Sequence, residues 1–174
     1  LTIAARLTIL LAMETLHAPW RMQYILAPKH ELADSLFTRI AQSNDDEANY
    51  VVARDRACYA LLNTYPYSPG HLMVVPYRRV ADLAELTDDE SSDLMKLAKR
   101  CQAALRKVMK PDGFNIGLNI GKVAGAGIAE HLHLHVVPRW LGDTNFMPVL
   151  SGTVVLPEAL TDLAAKLRTA LSQS

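Results

Sequence analysis

The chain has 174 residues, 18 Lys plus Arg against 18 Asp plus Glu, a formal net charge of zero, and half its residues are hydrophobic. That length suits one domain with a substantial core, and the charge balance excludes the broad basic field that long nucleic acid requires. Cys58 and Cys101 stand far apart and form no CxxC pair, which excludes a disulfide scaffold or a cysteine-rich zinc site and points to a reducing, cytoplasmic setting.

The opening "LTIAARLTILLAM" holds an apolar run too short to span a bilayer, so no membrane association is expected. Composition changes at Met13. Residues 1–12 read as an upstream extension or alternative-start segment, with a targeting peptide as the alternative, and residues 13–174 as a single domain. An aromatic segment, "APWRMQYILAPKH", is followed by the polar stretch "AQSNDDEANY", a surface loop by composition. "YVVARDRACYALLN" reads as two short strands around a turn at Arg54–Arg56. "TYPYSPG" is a loop, and "HLMVVP" a buried strand stopped by Pro76.

Thr87 followed three residues later by Glu90 is a capping-box signature. Leu94, Leu97, Ala98, Cys101, Leu105 and Val108 then trace one helical face, ended by Pro111 to Gly113. Cys101 on that stripe reads as a packed thiol. "FNIGLNIG" alternates. Phe114, Ile116, Leu118 and Ile120 are expected in the core, with Asn115, Gly117, Asn119 and Gly121 on an open polar face. A glycine-rich turn over Gly121–Gly127 leads to "HLHLHVVPRW", and an amphipathic helix is expected from about Pro157 to Leu171. The order of elements makes an α+β fold with a mostly antiparallel sheet, one long helix and a C-terminal helix.

His131, His133 and His135 occupy alternate positions of an expected strand, sharing one face at steps of roughly 6.5 Å. Leu132, Leu134 and Val136 anchor the other. Three unpartnered buried imidazoles would be costly, so the row points to chemistry. A metal site is one reading. Along an extended strand, however, the outer pair lies about 13 Å apart, and no Asp, Glu or Cys stands within the row. The other reading is nucleophilic attack on phosphorus by the central imidazole, flanked by groups that hold its tautomer and donate to phosphate oxygens. Backbone N–H groups of the glycine-rich turn could serve the phosphate, although the turn lacks the spacing of a P-loop.

"HLHLHVV" resembles the signature of the histidine triad superfamily of nucleotidyl hydrolases and transferases. "NTYPYSPGHLMVVPYRRV" resembles its nucleotide-binding stretch. Together with "APWRMQYI", "AGAGIAEHLHLHVVPRW" and "GDTNFM", these blocks are similar to a bacterial branch of diadenosine polyphosphate hydrolase and phosphorylase-like proteins. The resemblance implies the family's fold and cleavage of a dinucleoside polyphosphate or related nucleoside phosphate through a nucleotidyl-histidine intermediate. It implies His133 as nucleophile, His135 and His71 as orienting and phosphate-binding groups, and His131 beside the leaving group. Asn63 is implied as a ribose-side contact and Asn119 as a phosphate-side one, with Gly125, Gly127, Glu130 and Trp140 as further substrate contacts. Where many members have Gln or Ser before the first histidine, this chain has "GAGIAE", so backbone N–H groups or Glu130 are expected to take that place. Arg79 stands where a histidine is common, and the motif ends in His135 where one phosphorylase class has Gln. No resident metal or other cofactor is expected, though magnesium could accompany the substrate. The long helix and the neighbouring strand offer more apolar surface than one small sheet covers, so a homodimer is expected. The alternative to an enzyme is a nucleotide-binding sensor or scaffold with little turnover.

Overall fold

The structure, a computed structural model, describes residues 35–143 and 158–173. The boundary between residues 12 and 13, the aromatic "APWRMQYILAPKH" segment and most of "GDTNFM" lie outside the described residues. In chain order the elements are α1 (Leu36–Gln42), β1 (Val51–Arg54), β2 (Cys58–Leu62), β3 (Leu72–Pro76), α2 (Asp88–Met109), β4 (Gly113–Leu118), β5 (Leu134–Arg139) and α3 (Leu160–Ser172). Short 3-10 turns cover Leu83–Glu85 and Lys122–Ala124. The strands form one antiparallel sheet in the order β1-β2-β3-β5-β4.

α2 starts where its sequence says it should. Thr87 accepts from the Glu90 N–H while the Glu90 carboxylate accepts from the Thr87 N–H, so two donors of the helix end are satisfied reciprocally. The helix stops at Lys110, which adopts a left-handed conformation (φ 51°) just before Pro111. Its apolar stripe of Leu94, Leu97, Ala98, Cys101 and Leu105 packs with Leu163, Ala164 and Leu167 of α3 onto Leu72, Val74, Leu134 and Val136 of the sheet. Burying each such leucine stabilises the fold by roughly 1.5–3 kcal/mol. Burial pushes the thiols of Cys58 and Cys101 up to about 12, with smaller contributions from neighbouring charges, and both are free and buried. They are packed thiols, as the stripe implied for Cys101.

The opposite sheet face carries a second cluster, in which Phe37 and Ile40 of α1 cover Val51, Tyr59, Leu61, Met73 and Val75. α1 falls in a stretch read from sequence as aromatic segment and loop. Its ends are tied down: Ser35 caps the N-terminus, and the Arg54 guanidinium donates to the carbonyls of Ile40, Ala41 and Ser43 at the C-terminus. Asp46 holds Arg54 in turn, through both carboxylate oxygens.

Three expectations shift. Ile116 and Ile120 are 44% and 39% exposed, because β4 is the sheet edge and only its Phe114 and Leu118 reach the core. The paired part of β5 begins at Leu134, so His131–His133 precede the strand. The ladder with β3 runs over Leu72–Val136, Met73–His135 and Val74–Leu134, and Pro76, two residues past Val74, has no N–H for a further rung. α3 begins at Leu160, and Pro157 lies outside the described residues.

Candidate active site

Although His131 and His133 lie just before the strand, the alternation of side chains persists. Leu132, Leu134 and Val136 are buried, the last two in the α2–α3 core, and the histidines turn to the other face. His71 joins them from the start of β3, where the pairing of Met73 with His135 sets it beside the row. Its approach depends on Gly70, which adopts φ 77° and whose α-carbon sits so near Met109 that a Cβ there would lie 2.5 Å from Sδ. All four imidazoles are buried.

The hydrogen bonds assign the tautomers. His133 Nδ1 lies 2.9 Å from the His131 carbonyl oxygen. A carbonyl only accepts, so Nδ1 carries the proton and the lone pair sits on Nε2. His71 Nδ1 accepts the Tyr67 N–H at 3.1 Å, with the Asn63 amide at 3.3 Å. Its Nε2–H therefore donates to His135 Nδ1 at 2.9 Å, which makes His135 Nε2 a proton-bearing donor. The His133 and His135 rings meet nearly edge to face, 4.8 Å between centroids. Such an arrangement offers a nucleophilic nitrogen beside an N–H suited to an anionic oxygen.

His131 is different. Its Nε2–H donates to the Pro76 carbonyl at 2.9 Å, and Nδ1 accepts from the Ser35 hydroxyl at 2.7 Å. Both ring nitrogens are thus engaged within the protein, and the side chain is wholly buried. The expectation for His131 is a place beside a leaving group; in the structure its ring spans Ser35 and Pro76 while its carbonyl meets His133 Nδ1. Burial is the main reason its pKa falls below the usual histidine value, with His133 and Arg79 adding to the fall while the Pro76 bond and Glu130 oppose it. Neutral His131 is the form that both hydrogen bonds require.

A cleft of about 410 Å³ opens beside His135, lined also by Tyr67, Asn115, Gly117, Asn119 and Arg139. Ile116, Leu118 and Val137 line it as well; Gly117 pairs with His135 and Asn115 with Val137, so these two residues of the polar face read from "FNIGLNIG" share the side of His135. Tyr67 stacks on His71, with ring centroids 5.0 Å apart. Asn63 accepts the Tyr65 N–H in the loop before β3, besides touching His71. In the glycine-rich turn, the N–H groups of Ala124, Gly125 and Ala126 bond to the carbonyls of Gly121 and Lys122. Those of Gly125 and its neighbours close the turn on itself. Gly125 contributes its positive φ of 89° and its approach to Asn119. Gly127 is half-buried, and Glu130 is exposed beside His131 in sequence.

Trp140 lines another cleft, with Pro69, Val108, Met109 and Glu158. Strand parity explains this: Arg139 shares the His135 face, so its successor turns toward α2. Two site residues escaped the sequence reading. Ser35 bonds His131, and Phe37 packs its ring 5.5 Å from that of His131 and 5.1 Å from that of His133. Ser35 with Thr38, ahead of Phe37 and Ile40, was the available signal of a capped amphipathic turn.

Three alternating histidines leading into β5, with a fourth just before the adjacent β3, fit a histidine triad protein. The family model of the HIT domain matches residues 44–140, and the chain belongs to that family. It is 48% identical over 164 residues to the AP-4-A phosphorylase of Mycobacterium tuberculosis (strain ATCC 25618 / H37Rv), covering 90% of this chain and 84% of the relative. It is 36% identical over 93 residues to the asymmetrical bis(5'-nucleosyl)-tetraphosphatase of Schizosaccharomyces pombe, covering 53% and 50% of the two chains. Among solved structures, a zinc-bound histidine triad family protein from Mycobacterium smegmatis superposes with a TM-score of 0.66 at 27% identity, over 81% of this chain and 95% of that one.

Proposed function

We propose that the protein cleaves dinucleoside polyphosphates such as diadenosine tetraphosphate, with His133 as nucleophile and inorganic phosphate as acceptor. The observation that carries this reading is the tautomer of His133, whose Nδ1–H is spent on the His131 carbonyl, leaving Nε2 to attack. In the first displacement Nε2 bonds to a nucleotidyl phosphorus while the bond from that phosphorus to its bridging oxygen breaks. A nucleoside polyphosphate departs with that oxygen and the bonding pair. In the second, an oxygen of phosphate attacks the same phosphorus, the P–N bond breaks, and a nucleoside diphosphate leaves with His133 regenerated. His135 Nε2–H, held by the donation from His71, stabilises charge on the phosphoryl oxygens. Asn119, Gly125, Gly127 and Glu130 flank the substrate phosphates, Asn63 the ribose, and magnesium accompanies the polyphosphate. The name of the 48% identical relative supports phosphate over water as acceptor.

A homodimer is part of the proposal, supported by the edge position of β4 and the exposure of Ile116 and Ile120. A cytoplasmic setting agrees with two free buried thiols. Among the described residues no helix is long and apolar enough to cross a membrane.

The test is product analysis with diadenosine tetraphosphate, with and without inorganic phosphate. The expected products are ATP and ADP, with turnover beyond one equivalent of ATP per site only when phosphate is present. AMP and ATP formed equally in both conditions would replace phosphorolysis by hydrolysis, and absence of cleavage would overturn the reading.

A further inference from the structure

We propose that Ser35, 96 residues before the triad, is a positioning residue for the nucleophile. This rests on the reading of His133 as the attacking group. Ser35 is buried at the N-cap of α1, where its oxygen accepts the Thr38 N–H at 3.1 Å. The same oxygen lies 2.7 Å from His131 Nδ1. Because the Pro76 carbonyl can only accept, His131 carries its proton on Nε2, and Nδ1 must receive one from outside. A hydroxyl has a single proton, so Ser35 gives it to His131 and uses its lone pairs on the helix. Neither bond can be made by a methyl group.

The bond matters because His131 acts through its backbone. Its ring is clamped between Ser35 and Pro76, and its carbonyl holds His133 Nδ1–H at 2.9 Å. Releasing one end of the clamp frees the ring to turn, the carbonyl to drift, and the His133 tautomer to mix. Phe37, two residues along α1, packs against both rings from the same side. α1 is itself fixed to the sheet, since the Tyr59 hydroxyl donates to the Phe37 carbonyl at 2.7 Å. The helix thus carries a rigid wall of the site whose polar contact is Ser35.

The experiment compares Ser35→Ala, Ser35→Gly and Ser35→Thr in the full chain. Glycine is tolerated at an N-cap far better than alanine, so the pair separates helix capping from the bond to His131. Both Ala and Gly are expected to lower kcat at least tenfold with KM within threefold, while Thr, which keeps the hydroxyl, stays within threefold of wild type in kcat. In parallel, nitrogen-15 NMR of the imidazoles should show His133 as the Nδ1–H tautomer in wild type and a mixture in Ser35→Gly. A Gly variant with wild-type kcat and a single His133 tautomer would overturn the proposal, as would a Thr variant as slow as Ala. His133→Ala separates the two ideas. If it is inactive while the Ser35 variants run at full speed, only the role of Ser35 fails; if it keeps turning over, the nucleophile assignment fails.

Discussion

Replacing Gly70 by Ala tests whether the site depends on the backbone ahead of β3. Two costs arise at once. At φ 77° an L side chain costs roughly 1–2 kcal/mol, and the new Cβ would sit 2.5 Å from Met109 Sδ and 3.2 Å from Leu105 Cδ2. Such overpacking costs about 1–3 kcal/mol; the low end applies, because a methionine thioether can swing away. The sum is a destabilisation of about 2–3 kcal/mol, large beside a typical total of 5–15 kcal/mol. Urea denaturation should show a lower midpoint with an unchanged slope. In a double-mutant cycle with Met109→Ala, the steric part should appear as a coupling of about 1 kcal/mol while the backbone part remains. Since Gly70 leads directly into His71, turnover should also fall in the folded variant. A destabilisation below about 0.5 kcal/mol would mean that alanine fits at position 70 without strain, contrary to this geometry.

His131 is held neutral by burial, so its folded pKa lies below its unfolded value of about 6.5. The unfolded chain then binds the extra proton first; the contribution is fully present above about pH 6.5 and is lost as pH falls from there toward the folded pKa. Stability should drop between pH 7.5 and 5.5 in wild type and drop less in His131→Gln, and equal slopes would contradict this. The lowered carboxylates Asp93 and Glu90, paired with Arg56 and Arg78, titrate below that window and do not obscure it. Arg54→Ala removes the donors to two α1 carbonyls and to that of its C-cap, Ser43, and strands Asp46. It should cost about 2–3 kcal/mol, discounted for the partial exposure of the pair, and lower kcat through α1. Chemical denaturation with steady-state kinetics would check both effects, and wild-type values of either would count against a structural role for this helix.

Much of this was legible in the sequence because it rests on local patterns. The Thr87–Glu90 box, the apolar stripe of α2 and the alternation around the histidines each follow from side-chain periodicity, and the structure reproduces them. The exposure of Ile116 was not legible, since alternation names a face but not whether a strand is central or at an edge. α1 was missed because its 7 residues give barely two turns of periodic signal. The different surroundings of the histidines were hidden for another reason. His131 and His133 look equivalent along the chain, and what distinguishes them is contact with Ser35 and Pro76, fixed only when distant elements meet. Trp140 shows the converse: strand parity turns it away from His135, something the period of two could have revealed.

Rapid quenching during turnover of diadenosine tetraphosphate, followed by mapping of the labile phosphoramidate under mildly alkaline conditions, identifies the nucleophile. A nucleotidyl group on His133, bonded through Nε2, is expected, with no adduct or turnover in His133→Ala. A nucleotide mapped to any other residue, or substantial turnover by His133→Ala, would contradict this assignment.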